Sequence, residues 1–203
     1  MARPKNKTGK ASVLNEKEFK RILVNLSPFS SEAVRLRNQL ILNISFKLGL
    51  RAKELASLKI GDVFDGVKVK DTLRLLGIYT KGNKHRDLSL INRSVSLSIE
   101  SYIEYRHQND GAVFNLQAPL FKSQKGSFFS ANAMSRLMKN IYIDCGFENA
   151  SSHSGRRSLL TGLADKGVSA FHIMAIAGHS NISTTQGYIE SNPKVLSDIL
   201  KDV

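Results

Sequence analysis

The chain predicts a mainly α-helical domain carrying one small antiparallel sheet, an α+β arrangement. Most apolar residues recur at three- and four-residue spacing, the period of an amphipathic helix. Several of these stretches open on a capping residue and close on glycine or proline. Only one block, about residues 67 to 90, alternates apolar with polar residues, and it contains the turn candidate "KGNK".

Residues 1 to 12 hold Arg3, Lys5, Lys7 and Lys10 without apolar periodicity and read as a flexible basic tail. A first helix is expected from Asn15, where Glu18 completes a capping box, with Phe19, Ile22, Leu23 and Leu26 as its apolar positions and Pro28 as its end. A longer helix follows in "SSEAVRLRNQLILNISFKLGL", burying Leu40, Ile44 and Leu48 and stopping near Gly49. "RAKELASL" is a short helix beginning at or near Arg51, and the sheet follows with Lys81 at its hairpin tip. Helices then return in "SVSLSIESYIEYRH" and in "SANAMSRLMKNIYIDCG", capped by Ser130. They continue in "SGRRSLLTGLADKG", "SAFHIMAIAG" and "TTQGYIE". The last, "NPKVLSDILKDV", has Asn192 as cap and Pro193 in its first turn, with Val195, Leu196, Ile199 and Leu200 as an apolar stripe.

Thirty Lys and Arg against 17 Asp and Glu give a net charge of +13 and an isoelectric point near 10.0. Such a surface attracts polyanions, nucleic acid first, with RNA and DNA undecided on charge alone. A single cysteine, Cys145, excludes an internal disulfide and a multi-cysteine zinc site. No run of about 18 apolar residues suits a membrane span, and the basic N-terminus lacks the apolar stretch of a secretory signal. The expected location is the cytoplasm.

Six residues make up a candidate site. Arg51 heads a short helix, Lys81 stands on a hairpin tip, and His153 and Arg156 form H-x-x-R. His179 follows Gly178 at a helix end, and Tyr188 comes nine residues later. Each has an ordinary structural explanation when taken singly: a solvated helix start, a turn cation, a helix cap, a cation at a helix terminus, an amphipathic core tyrosine. Taken together they suit one chemistry. Two guanidiniums can each grip two oxygens of a phosphodiester. Histidines donate hydrogen bonds or move protons near neutral pH. A lysine can protonate a leaving alkoxide, and a tyrosine can attack phosphorus and form a covalent ester. A free tyrosine loses its proton only near pH 10, so a cationic pocket must help. With that much positive charge, no metal or other cofactor is expected.

These residues and their order resemble the tyrosine recombinases, the phage-integrase and Xer-like family of DNA strand-exchange enzymes, over roughly residues 13 to 203. Arg51 in "LGLRAKEL" matches the first family arginine, and Lys81 in "TKGNKHRDLSL" the hairpin lysine, the general acid. His153 and Arg156 in "HSGRR" match the H-x-x-R pair, His179 in "AGHSNISTTQGYIE" the second histidine, and Tyr188 the nucleophile. The resemblance implies the catalytic-domain fold of that family. It also implies a site-specific recombinase that cleaves double-stranded DNA through a 3′-phosphotyrosine without metal or ATP. Four protomers on two DNA sites are implied too, linked through the C-terminal segment, with no membrane partner.

The family commonly has a bulky apolar residue where Gly155 stands, so a looser turn is expected there, since glycine inside a helix costs about 0.5–1 kcal/mol. Ala177 replaces a common leucine, and a few extra residues between Arg51 and Lys81 suggest an enlarged sheet. Only about 12 residues precede the first helix, so the expected organisation is residues 1–12 as tail and 13–203 as catalytic domain, without a separate core-binding domain. This resembles the short fimbrial-switch recombinases. The alternatives are a type IB-like topoisomerase, which shares the chemistry without synapsis, a non-catalytic DNA-binding regulator of the same fold, and, on composition alone, an RNA-binding protein. A pure binder needs no Tyr188, which argues against the regulator.

Overall fold

The structure, a computed structural model, is described over residues 11–26, 31–77, 85–123 and 125–189. Pro28, Lys81 and the terminal segment with Asn192 and Pro193 lie outside the described residues. Among those described, the helices are α1 (Glu16–Asn25), α2 (Glu32–Leu48), α3 (Ala52–Ser57), α4 (Ile60–Val63), α5 (Arg93–Asp110), α6 (Ala131–Asp144), α7 (Ser154–Asp165), α8 (Ala170–Ala177) and α9 (Ser183–Ile189). Strands β1 (Thr72–Leu75) and β2 (Arg86–Ser89) pair antiparallel, with Thr72 opposite Ser89 and Leu75 opposite Arg86.

Local signals set the helix ends. The Asn15 side chain accepts from the Glu18 amide at 2.9 Å while the Glu18 carboxylate accepts from the Asn15 amide at 2.8 Å, the expected capping box. Ser130 caps α6 through the Ala133 amide. Helix α2 ends at Gly49, whose φ of 70° is the left-handed cap conformation.

Helix α2 is the centre of the fold, packed against α5 on one side and α7 on another. From Leu40 to Phe46 every residue is buried, including Asn43 and Ser45. An amide in such a place needs a partner, and Asn43 donates to the Ser98 hydroxyl of α5 at 2.7 Å. The main core joins Leu40, Ile41 and Ile44 to Leu55, Leu73, Leu88, Ile99 and Phe121. A second packs α1 on α2 and α6, with the Phe19 and Phe46 rings stacked 3.9 Å apart. A third, small cluster of Leu160, Ala164, Ile173 and Ala177 holds α7 to α8, with Tyr188 of α9 packed on its edge.

Two expectations change. The extra residues after α3 do not enlarge the described sheet. They form the single-turn helix α4 and a turn closed by a Phe64–Val69 bridge. Gly155 does not loosen its helix either. A Cβ there would lie 2.6 Å from Ser45 Oγ and 3.1 Å from the Phe46 amide nitrogen. The missing side chain is what lets α7 lie directly on α2. Gly155→Ala is therefore expected to destabilise the protein by about 1–3 kcal/mol, the usual cost of overpacking a tight core, measured as a lower urea midpoint at unchanged m-value.

Candidate active site

Four chain segments meet at one end of α7. Arg51, immediately before α3, is held by its own third neighbour. The Glu54 carboxylate accepts from the Arg51 amide at 2.8 Å and from Arg51 Nη1 at 2.9 Å. Glu54 is fully buried, and its second role is to accept from Arg86 Nη2 at 2.8 Å. Arg86 opens β2, and its Nη1 donates to the Ala177 carbonyl at 2.8 Å. The strand that follows the Lys81 segment is thus fastened to both α3 and the end of α8.

Arg156 projects from the first turn of α7 and is 4% exposed. Its Nη1 donates to the Gly49 carbonyl at 2.7 Å and its Nη2 to the Ala177 carbonyl at 2.6 Å. These are the last turns of α2 and α8, whose carbonyls lack intrahelical partners. One guanidinium therefore closes two helix ends. Burial, with Arg51 and Arg86 nearby, pulls its pKa below the usual arginine range. Arg51 and Arg86 share the buried carboxylate of Glu54, and Arg156 adds a third guanidinium beside them, so the site carries surplus positive charge.

Helix α8 stops at Gly178, whose φ is 60°, and Arg86 lies against it so closely that a Cβ would strike the guanidinium. His179 comes next. Its Nε2 lies 3.0 Å from Arg156 Nη2 and its Nδ1 2.9 Å from Thr185 Oγ1. Burial, then Arg156, Arg51 and Arg86, hold its pKa down at about 4, so the ring is neutral in the physiological range. His153 stands at the N-cap of α7 with one side open to solvent, and its pKa is also lowered, by partial desolvation of the ring first and then by Arg156 and Arg51.

The loop after His179 is turned by Asn181, whose side chain accepts from the Ser183 amide at 2.9 Å. Helix α9 then returns Tyr188 to His179, ring centroids 6.1 Å apart and nearly parallel at 16°. The result is a cleft of about 730 Å³ lined by His153, Arg156, Arg157, Thr184 and Tyr188 and floored by Ala11 and Ser12. Five of the six sequence candidates thus converge: Arg51, His153, Arg156, His179 and Tyr188. Lys81, the sixth, lies outside the described residues.

Arg157 borders the same cleft, but its guanidinium is engaged by the backbone at the cleft's Ala11 side. Its Nη1 donates to the Ala11 carbonyl at 2.7 Å, and beside it the Leu14 amide donates to Ser158 Oγ at 2.7 Å. Together they fasten the start of the domain to α7. Arg157→Ala is expected to lower stability by about 1 kcal/mol, one net hydrogen bond, and to leave DNA cleavage much closer to wild type than Arg156→Ala does. Thermal melts and adduct rates on both variants check this.

The sequence reading passed over Glu54, Arg86 and Thr185. Glu54 had a local signal, three residues after a helix start, where a carboxylate closes a capping box. Arg86 and Thr185 had none, because their partners are set by tertiary contact.

Buried Arg156 with Arg51 and Arg86 beside it, two histidines whose pKa values are lowered, and Tyr188 gather at one cationic cleft suited to an anionic group. The chain belongs to the phage integrase family, whose description matches residues 12–194. It is 31% identical over 191 residues to the tyrosine recombinase XerD of Rickettsia prowazekii, covering 91% of this chain and 60% of that one. It is equally 31% identical to the tyrosine recombinase XerA of Pyrococcus horikoshii, over 93% of this chain and 60% of the relative. The chain therefore spans about 60% of the length of these relatives. Its fold superposes on the crystal structure of the XerA recombinase with a TM-score of 0.73 at 24% identity, covering 99% of this chain and 66% of that one. On the XerH site-specific recombinase in its pre-cleavage complex with the difH substrate, the TM-score is 0.67 at 25% identity, covering 94% and 53%.

Proposed function

We propose that this chain is the catalytic part of a site-specific recombinase acting on double-stranded DNA, with Arg51, Lys81, His153, Arg156, His179 and Tyr188 as its working residues. The observation that carries this reading is Arg156. It is buried between two helix ends beside Arg51, and it opens onto the same cleft as His153 and Tyr188. Arg51 and Arg156 would bind the non-bridging oxygens of the scissile phosphate and stabilise charge as a fifth oxygen approaches phosphorus. Tyr188 would attack, forming a 3′-phosphotyrosine and releasing a 5′-oxygen that Lys81 would protonate. A 5′-hydroxyl of a partner strand reverses the step. The ester is conserved in the protein link, so no ATP is consumed. Four protomers on two sites, linked through the C-terminal segment, complete the proposal.

Covalent trapping tests it. From a pool of randomised, nicked duplexes, wild-type protein should retain a defined sequence as an adduct that survives denaturation. Site-independent plasmid relaxation would replace the reading with a type IB-like topoisomerase. Binding without any adduct would replace it with a regulator. The +13 charge also predicts a steep salt dependence. A protein neutralising Z phosphates loses affinity with a log–log slope of about −0.9Z. Fluorescence anisotropy across a salt series should give a strongly negative slope, and a slope near zero would remove nucleic acid as the main partner.

A further inference from the structure

We propose that Thr185 is a positioning residue that lets His179 change tautomer when a phosphate enters the cleft, turning its Nε2 from acceptor to donor. The proposal rests on the phosphate-binding reading above. Arg156 Nη2 carries only donors, so at 3.0 Å from it His179 Nε2 must accept. The imidazole proton is then on Nδ1, and Thr185 Oγ1, 2.9 Å away, receives it. Thr185 is fully buried in α9. Its backbone is held by the turn in which the Thr185 amide donates to the Ile182 carbonyl at 2.7 Å, which leaves the hydroxyl proton free to rotate.

This arrangement satisfies both ring nitrogens but is wrong for an anion. In it, His179 Nε2 occupies a guanidinium proton that faces the site, as a phosphate oxygen would. Once a phosphate oxygen takes that proton, an Nε2 lone pair would face negative charge. Moving the imidazole proton from Nδ1 to Nε2 removes the conflict, and Nε2–H then donates to the phosphate. The ring remains neutral: one proton leaves Nδ1 for solvent and one arrives at Nε2. Nδ1 now needs a donor, and the Thr185 hydroxyl supplies it by rotating, because a hydroxyl both donates and accepts. A backbone carbonyl or a carboxylate at this position would lock the Nδ1–H form. An imidazole's tautomer is set by the partner of its other nitrogen, and here that partner serves both forms.

The test is nitrogen NMR on the full chain with ¹⁵N-labelled histidine, with the His179 signals identified by their loss in His179→Gln. Inorganic phosphate is the probe. Wild type should show Nδ1–H at His179 when free and shift toward Nε2–H as phosphate is added. Thr185→Ser should behave the same way. Thr185→Val keeps the shape and loses the hydroxyl, so Arg156 should still hold the free ring as Nδ1–H, while the phosphate-driven change to Nε2–H, now without a donor for Nδ1, should weaken roughly fivefold to tenfold, the weight of one net hydrogen bond. An Nε2–H tautomer in free wild type overturns the proposal, and that measurement does not depend on any variant folding. Identical tautomers in wild type and Thr185→Val, with and without phosphate, overturn it while leaving the phosphate site standing. If phosphate moves neither the His153 nor the His179 signals of wild type, the phosphate-site reading fails and the proposal with it.

Discussion

Tyr188→Phe is expected to abolish covalent protein–DNA adduct and leave DNA affinity close to wild type. The ring of Tyr188 does two structural things that phenylalanine preserves. It stacks on His179 with centroids 6.1 Å apart, and it packs on the Leu160, Ile173 and Ala177 cluster. Only the hydroxyl is lost, and phenylalanine has no nucleophile. Binding rests on phosphate contacts spread over a basic surface, so one hydroxyl contributes little to it. Other tyrosines do not substitute. Tyr102 and Tyr142 are buried, and burial raises the pKa of each, which disfavours the phenolate. Tyr105 does not line the cleft, and Tyr79 lies outside the described residues. The assay is a suicide duplex nicked beside the cleavage point, resolved on a denaturing gel, with no metal or ATP added. An adduct in Tyr188→Phe would show that another residue is the nucleophile.

How much of this was legible in the sequence depended on the range of each interaction. The Asn15–Glu18 box, the Gly49 stop and the Ser130 cap are made within a few residues, and their sequence signals located them. The candidate site residues stood out because their types and order match a family pattern. Helix α2 shows the opposite case. Its buried Asn43 and Ser45 break the apolar stripe, and only the packing of α5 and α7 against it explains why they are inside. Gly155 was misread for the same reason. Seen alone, a glycine loosens a helix. Against the Ser45–Phe46 backbone it is the only side chain that fits. Glu54 and Arg86 are 32 residues apart, and no periodicity or cap links them. Their pairing exists because the chain folds β2, which abuts the end of α8, within reach of α3.

Arg156→Ala should slow adduct formation by about 10²–10³-fold, the usual cost of removing one preorganised donor to a developing oxyanion. A second loss accompanies the chemical one. The Gly49 carbonyl accepts from this guanidinium, whereas the Ala177 carbonyl keeps Arg86 as a second donor, and leaving a buried acceptor unsatisfied costs about 1–3 kcal/mol. Two effects must therefore be separated, loss of phosphate binding and loosening of the ends of α2 and α8. Arg156→Lys does so. A lysine restores the charge but not the fork, so it can satisfy one carbonyl and cannot hold two phosphate oxygens in a plane. If the fork is the catalytic feature, Arg156→Lys should recover part of the lost thermal stability while adduct formation remains within about tenfold of the alanine variant. DNA affinity should fall less than the cleavage rate in both variants, because affinity is distributed and transition-state contact is not. Near-wild-type cleavage in Arg156→Lys would reduce Arg156 to a point charge. A larger cleavage defect in Arg157→Ala than in Arg156→Ala would move the phosphate within the cleft toward Arg157 and Ala11 and would take the chemical role from Arg156.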